Sequence, residues 1–238
     1  LRELNLDTEF VSQVPDRPTG TVKVTLEAGA PTYEIARQAA WEWMEIPPAL
    51  LQLAPRASAL VFGSLAQRSQ HNRLGLRALR DRCEAAMQAY DVNLRAPYDS
   101  ADRVHTLAGG ADLIKLNDEE LARLLAQPSD SEPVEAAARR FAEKTGCSRI
   151  CVTAGARGAG LLVDGKWFWA DAAPVQVRDT VGAGDAFLAA LVHGLLASQL
   201  EPEMILRRAC RLAEFVVSRD GATPIYTVDE VPGWTASS

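Results

Sequence analysis

The chain of 238 residues lacks the patterns that mark several common classes of protein. Its four cysteines and three histidines form no Cys-x-x-Cys motif and no closely spaced histidine pair, so the sequence contains no zinc-binding or thiol-redox motif. It has no run rich in Lys and Arg, and its formal net charge of −6 argues against nucleic-acid binding. No apolar stretch is long enough to cross a bilayer, and the first residues do not resemble a signal peptide. We therefore expect a cytoplasmic protein with four reduced, mostly buried thiols: Cys83, Cys147, Cys151 and Cys210.

Short apolar runs alternate with helical patterns along the middle of the chain. The runs that predict buried strands are Ala59–Phe62, Ala89–Leu94, Asp112–Leu116 and Arg149–Thr153. The segments that predict helices are Gln70–Met87, Ser100–Leu107, Asp118–Leu125 and Val134–Lys144. This alternation predicts a mostly parallel sheet with helices on both faces.

The two ends of the chain follow other patterns. Near the start, apolar and polar residues alternate strictly over Thr21–Leu26, which predicts a strand with one solvated face. After Thr153, an Asp-Gly turn separates two apolar segments and predicts an antiparallel strand pair. The elements predicted there are the strands Gly160–Asp164 and Lys166–Ala170 and the helices Asp185–Ala197 and Glu203–Ser218.

The most informative segment is Arg178–Leu191, with the sequence RDTVGAGDAFLAAL. Gly182, Ala183 and Gly184 (the GAG turn) carry little or no side chain, so an anion can approach their backbone N–H groups at the positive end of the following helix. Asp185 lies in the first turn of that helix. An acidic residue there also interacts favourably with the helix dipole, so the short pattern alone leaves a purely structural role open.

The longer string DTVGAGDAF, together with the other segments in their order, resembles the second signature of the ribokinase-like (PfkB) family of carbohydrate kinases. The resemblance implies a three-layer α/β/α sandwich with a small β-sheet lid. It also implies that Asp185 is the base that takes the proton from the sugar hydroxyl, and that the amides of the GAG turn stabilise the phosphoryl group in transit. Asp179 matches a position near a monovalent-cation site, which implies a role near K⁺; the alternative is that Asp179 only caps the turn that follows it.

Two further motifs match the family's nucleotide side. Asn117-Asp118-Glu119-Glu120 resembles its Asn-x-x-Glu motif, which implies that Glu120 orders water around Mg²⁺; the same spacing is also that of a helix capping box. Thr153, Gly155 and Gly158 match a Thr-x-Gly-x-x-Gly loop near the ATP phosphates, and a plain glycine turn is the alternative. A dinucleotide-binding fingerprint is excluded because Gly160 leads into a predicted strand, and no P-loop motif occurs. Near the C-terminus, Gly221 and Ala222 resemble the family's adenine-pocket segment.

The residues predicted to bind the sugar belong to one short motif. Asp91, Asn93 and Arg95 should share one side at the carboxyl end of a predicted strand, where α/β sheets bind ligands. This Asp-x-Asn-x-Arg pattern resembles fructokinases and 2-keto-3-deoxygluconate kinases, in which the Arg faces the sugar or its acid group. The alternative is that Arg95 pairs with Asp91 or Asp99 in a structural role.

The sequence therefore predicts an ATP- and Mg²⁺-dependent sugar kinase with fructose as the favoured substrate. A sugar-acid kinase of the same family is the alternative, and a catalytically silent sugar- or nucleotide-binding regulator is the alternative from another class. Residues 1–40 are expected to form part of the lid and its connection, residues 41–238 the nucleotide-binding core, and the lid a homodimer contact. The family's first strands have no counterpart before Leu1, so we expect an N-terminal part to be absent from this numbering.

Overall fold

A computed structural model describes residues 6–27, 30–96, 100–128, 131–197 and 199–234, without the side chains of residues 24–27 and 30–33. The chain consists of two compact units, Leu1–Ala86 and Met87–Ser238. The predicted boundary after residue 40, between the lid and the nucleotide-binding core, stays a prediction. No helix among the described residues is both long and apolar enough to cross a membrane.

The first unit contains a small antiparallel sheet of two strands, β1 (Val22–Glu27) and β2 (Ala30–Ile35). Val22 lies opposite Ile35, and the predicted strand at Thr21–Leu26 is confirmed with a shift of one residue. Val22 is 55% exposed, so the apolar side of β1 is uncovered at this position. The unit continues with helix α1 (Pro48–Leu53), strand β3 (Ala59–Gly63) and helix α2 (Gln70–Arg80).

Helix α2 is shorter than the sequence predicted. It ends at Arg80, whereas the composition predicted a helix to Met87. Residues 81–86 turn away from the helix because Cys83 and Ala86 pack against Ala54. Met87, the predicted last residue of the helix, is instead the first residue of the next strand.

The second unit contains a mixed sheet whose five strands follow chain order. They are β4 (Met87–Asp91), β5 (Leu113–Asn117), β6 (Ile150–Thr153), β7 (Ala159–Val163) and β8 (Lys166–Ala170). Strands β4 to β6 are parallel, and β7 and β8 are each antiparallel to the strand before. The β7–β8 turn has positive φ at Asp164 (50°) and Gly165 (73°), which suits a tight hairpin. The predicted parallel sheet with an added hairpin is confirmed.

Helices flank this sheet and complete the core. They are α3 (Ala101–Ala108), α4 (Asp118–Leu124), α5 (Val134–Thr145), α6 (Ala183–Ala197) and α7 (Pro202–Val217). Helix α4 contacts β5, α5 contacts β6 and β7, and α7 contacts β7 and β8. Every residue of β7 is buried, as is every residue of β6 except Thr153, which is why these strands show continuous apolar runs. The expected α/β sandwich fold is confirmed.

Candidate active site

The carboxyl ends of β4, β5 and β6 lie side by side and bring together three motifs from the sequence. Asp91, the last residue of β4, is directly opposite Lys115 on β5, and Asn117 is directly opposite Thr153 on β6. Ligands of α/β sheets bind at this edge. The Asp-x-Asn-x-Arg, Asn-x-x-Glu and Thr-x-Gly-x-x-Gly motifs therefore begin at neighbouring positions on one edge of the sheet.

Residues 179–184 form a tight turn into α6. Oδ1 of Asp179 accepts a hydrogen bond of 2.9 Å from the Val181 N–H, and Gly182 has a positive φ of 84°. Helix α6 begins at Ala183, and the first N–H groups of a helix have no partner within it. Asp185 lies in this first turn and is exposed. The backbone thus presents amides suited to an anion, followed at once by a solvent-accessible carboxylate.

A pocket of about 640 Å³ lies beside this turn. Thr153, Gly155 and Gly158 line it from the loop after β6, and Ala183 and Gly184 line it from the start of α6. The segment after β8 also lines it, and α7 contributes Cys210, Ala213, Glu214 and Val217. Its size lies in the range of small-ligand pockets, and its walls are mostly apolar with few polar groups, as is usual for such sites. Five residues predicted to hold nucleotide or phosphoryl groups therefore share one pocket.

Three predicted nucleotide-binding residues, Asn117, Gly221 and Ala222, are not among the described residues that line this pocket. Asn117 caps α4, where its Oδ1 accepts a hydrogen bond of 2.7 Å from the Glu120 N–H. Ala222 lies against Gly182, since a Cβ added to Gly182 would lie 2.9 Å from the Ala222 Cα. Ala222 thus supports the GAG turn, and direct ligand contacts of these three residues stay predictions.

The glycine loop after β6 leads into a strand. Gly155 has a φ of 54° and opens a short 3-10 turn, and Gly158 has a φ of 118° at the start of β7. A Cβ on Gly158 would lie 3.0 Å from the backbone carbonyl carbon of Ala170. The guanidinium of Arg157 pairs with the carboxylate of Asp118 at the start of α4. A dinucleotide fingerprint would open a helix, so its exclusion is confirmed.

Both carboxylate oxygens of Glu120 bind backbone N–H groups. Oε2 accepts from Asn117 at 2.8 Å, which completes the capping box, and Oε1 accepts from Leu94 at 2.6 Å. Burial raises the pKa of the Glu120 carboxyl, and the two backbone hydrogen bonds oppose this effect. The capping role is confirmed. No group of three or more His, Cys, Asp or Glu side chains that could hold a metal ion occurs among the described residues, and the Mg²⁺ role of Glu120 stays a prediction.

Sequence reasoning missed Lys115, which lies beneath the turn. Its side chain is 9% exposed and pairs with the 10% exposed side chain of Asp91 at 3.0 Å. A Cβ on Gly184 would lie 3.3 Å from the Lys115 Nζ. Burial raises the pKa of Asp91, although Lys115 opposes this effect. The sequence signal that could have identified this pair is a lysine within the apolar strand LIKLN, because a buried charge requires a partner of opposite charge.

The Asp-x-Asn-x-Arg motif does not continue the strand as expected. Strand β4 ends at Asp91, and Asn93 has a positive φ of 38°, so side chains beyond Asp91 do not alternate as in a strand. Arg95 is exposed, and its Nη1 donates to the Leu94 carbonyl at 2.9 Å. Asp91 is hydrogen-bonded to Lys115, whereas Asp99 lies outside the described residues. The expectation of one shared side is wrong, and the sugar-binding roles of Asp91, Asn93 and Arg95 stay predictions.

Helix α7 supplies pocket residues that were not predicted from the sequence, and two of them carry polar or titratable groups. Glu214 fastens the segment after β8 to the helix: its Oε1 accepts from the Ala173 N–H at 2.7 Å and its Oε2 from Arg211 at 2.6 Å. Burial raises the pKa of Cys210 to about 12, so it forms a neutral part of the pocket wall. All four cysteines are free and buried, as expected.

Comparison with known families and sequences gives one consistent result. The family described as pfkB family carbohydrate kinase matches residues 1–228. The bifunctional protein HldE of Rhodopseudomonas palustris (strain BisB18) is 31% identical over 179 residues, which are 74% of this chain and 35% of that protein. A fructokinase of Klebsiella pneumoniae is 32% identical over 134 residues, which are 51% of this chain and 42% of that protein. The chain thus spans less than half the length of these relatives.

Solved structures share the fold. The sugar kinase PH1459 of Pyrococcus horikoshii has a TM-score of 0.78 at 23% identity, covering 93% of this chain and 71% of that chain. An aminoimidazole riboside kinase from Salmonella enterica, solved with aminoimidazole riboside and an ATP analog, has a TM-score of 0.71 at 22% identity, covering 93% and 74%. A protein of E. coli described as a ribokinase II, solved with ATP and Mg²⁺, has a TM-score of 0.71 at 20% identity, covering 88% and 68%.

Proposed function

Since this chain belongs to the pfkB family of carbohydrate kinases, we propose that the protein transfers the γ-phosphate of ATP to a hydroxyl group of a sugar. One observation carries the proposal. The pocket places Thr153, Gly155 and Gly158 together with Ala183 and Gly184, and Asp185 follows the GAG turn directly. A nucleotide in this pocket would have its phosphates between backbone amides and next to a carboxylate.

The chemistry of phosphoryl transfer fits these groups. The reaction needs a base for the attacking hydroxyl and donors where negative charge accumulates, with little covalent help from the protein. In our proposal Asp185 accepts the proton of the sugar hydroxyl. The N–H groups of the GAG turn bind the phosphoryl group during transfer, aided by the positive end of α6.

The protein groups also fit a hydrated Mg²⁺ bound with ATP. Mg²⁺ usually keeps several water ligands and uses one or two carboxylates together with phosphate oxygens. Each oxygen of Glu120 accepts one backbone hydrogen bond and can accept another, so Glu120 can order a water ligand of the ion. We assign Glu120 this role, and Asp179 a role near a K⁺ ion. Mg²⁺ when bound would neutralise charge on the phosphates.

Fructose is our favoured substrate because the Asp91–Arg95 segment follows the fructokinase pattern and because a fructokinase is among the relatives. One observation favours the alternative of a sugar acid. Arg95 is exposed and forms no salt bridge among the described residues, although its charge opposes the increase that burial causes in the pKa of Asp91, so its guanidinium can pair with an acid group. We further propose that β1 and β2 are the lid and a homodimer contact, and that the protein acts in the cytoplasm, where ATP is plentiful and thiols stay reduced.

The test is a thermal-shift screen of sugars and sugar acids, with and without ATP and Mg²⁺, followed by phosphorylation assays. We expect a sugar that stabilises the protein and is phosphorylated.

Asp185→Asn should fold and bind ATP but lose about 10²–10⁴-fold in kcat. Asp164→Asn is the matched control, because Asp164 is exposed in the β7–β8 turn and asparagine tolerates its positive φ. Near-normal kcat for Asp185→Asn would contradict the mechanism. Ligand binding without any phosphorylation would favour the regulator.

A further inference from the structure

The side chain of Lys115 carries a buried positive charge, and the proposed function assigns it no role. Its neighbours Ile114 and Leu116 on β5 are fully buried, and its own side chain is 9% exposed. The ammonium donates to both oxygens of Asp91, at 3.0 and 3.2 Å. Since Asp91 is directly opposite on β4, the backbone register holds the two charges together.

The ammonium also lies directly beneath the GAG turn. A Cβ added to Gly184 would lie 3.3 Å from the Lys115 Nζ, so the ammonium occupies the space next to this glycine. Gly184 itself is exposed and lines the pocket, whereas Lys115 is not among the described residues that line it. The positive charge of Lys115 therefore lies next to a residue of the pocket wall.

The hydrogen bonds of Lys115 leave part of its ammonium unused. A lysine ammonium has three N–H groups, and Asp91 is its only hydrogen-bond partner among the described residues. A buried ion pair adds little to stability compared with apolar residues of the same volume. Stability alone therefore gives no reason for this pair, whereas a positive charge close to a site of developing negative charge has a chemical use.

We propose that Lys115 is a positioning residue for phosphoryl transfer: anchored by Asp91, it supplies a fixed positive charge beneath the GAG turn that stabilises the negative charge developing on the phosphoryl group. This inference rests on the proposed function. Preorganised charges in a site that excludes water act strongly on the transition state because they need no rearrangement during reaction. In this inference Asp91 serves as the anchor of Lys115.

The test removes the charges as a pair, because one buried charge left alone would destabilise the fold. The variant Lys115→Met with Asp91→Asn is assayed in the full protein for kcat, for the KM of ATP and for melting temperature. A second variant, Lys115→Gln with Asp91→Asn, removes both charges and lets the two amide side chains hydrogen-bond to each other. The control is Arg139→Met with Glu135→Gln, which removes an ion pair of 2.8 Å from α5 in the same unit.

We expect both Lys115 variants to lose about 10- to 100-fold in kcat with little change in the KM of ATP, and the control to keep its kcat. A binding measurement separates this role from a structural one. Aluminium fluoride, a mimic of the phosphoryl group in transit, should tighten ADP binding in the wild type and much less in the variants, while ADP alone binds equally.

The outcomes separate the two proposals. Wild-type protein without sugar-dependent ATP turnover contradicts the proposed function and this inference with it. Active wild type, with a folded double variant that keeps kcat within about threefold and keeps the effect of aluminium fluoride, overturns the role of Lys115 alone. If the variant with Lys115→Met does not fold, the variant with Lys115→Gln and Asp91→Asn decides by the same two measurements.

Discussion

The backbone of Ala222 lies so close to Gly182 that a Cβ on Gly182 would be 2.9 Å from the Ala222 Cα and nearer still to its carbonyl oxygen. Gly182 also has a positive φ of 84°. The turn before α6 therefore depends on a glycine for two reasons, its backbone conformation and the space it leaves for the segment after α7.

We expect Gly182→Ala to disrupt the GAG turn. The left-handed conformation costs an alanine about 1–2 kcal/mol, and the overlap with Ala222 must add to this cost. Gly165→Ala is the control, because Gly165 has a φ of 73° but no atom within 4 Å of an added Cβ. Urea unfolding and ATP titration should show a small loss of stability for Gly165→Ala. Gly182→Ala should show a larger loss and weak ATP binding. Equal effects of the two substitutions would contradict the importance of the Ala222 contact.

Glu214 should act on the nucleotide through the shape of the pocket. Glu214→Ala removes the acceptor for the Ala173 N–H, so the segment after β8 loses its attachment to α7. A hydrogen bond to a charged group contributes about 1.5–3 kcal/mol, so we expect ADP to bind at least about 10-fold more weakly by calorimetry. Glu203→Ala is the control, since Glu203 forms an exposed 2.6 Å pair with Arg207 on the same helix. Unchanged ADP affinity in Glu214→Ala would show that the segment holds its position without this bond.

Glu120→Gln distinguishes a structural from a metal-linked role. The N–H groups of Asn117 and Leu94 bind different oxygens of Glu120, and glutamine replaces one of these oxygens with an NH₂ donor. One N–H group then loses its acceptor, and we expect a loss of about 1–3 kcal/mol in stability. If Glu120 also orders water around Mg²⁺, the Mg²⁺ concentration for half-maximal activity should rise while sugar affinity without nucleotide stays constant.

The chain contains a matched control for this experiment. Thr227 and Glu230 form a second capping box, in which Glu230 accepts from the Thr227 N–H at 2.7 Å. Glu230→Gln should weaken its cap by about 0.5–2 kcal/mol without a change in Mg²⁺ requirement. A lower melting temperature for Glu120→Gln with an unchanged Mg²⁺ requirement would leave Glu120 as a cap alone.

Local sequence patterns predicted the elements whose causes are local. The apolar runs of β5 and β6, the Asp164-Gly165 turn and the helix after the glycine turn follow from neighbouring residues, and they are confirmed, with α6 starting two residues before the predicted Asp185. The end of α2 was wrong because Cys83 turns toward a residue far away in sequence. The end of β4 was wrong by three residues because the turn after Asp91 overrides the apolar pattern.

The residues of the candidate site also fall into those with local and those with distant causes. The GAG turn and the glycine loop after β6 are short motifs, so the sequence identified them directly. The pairing of Lys115 with Asp91 depends on the register between two strands that are separated by α3, which no local pattern specifies. Glu214 enters the pocket because α7 packs on β7 and β8, a contact between distant segments.

Arg95 decides between the two proposed substrate classes. Its side chain is exposed and forms no salt bridge among the described residues, so Arg95→Ala should leave stability and ATP affinity nearly unchanged. If Arg95 contacts the substrate, the KM of a neutral sugar should rise about 10- to 100-fold, because a charged hydrogen bond is lost on the sugar side alone.

A sugar acid should lose more than fructose does, since its carboxylate can form a bidentate pair with the guanidinium. Arg139→Ala, which removes an exposed arginine from α5, should change neither KM and serves as the control. Steady-state kinetics with fructose and with a six-carbon sugar acid measure both effects. Equal loss of affinity for sugar and ATP would make Arg95 a structural residue, and a loss confined to the acid would identify a sugar-acid kinase.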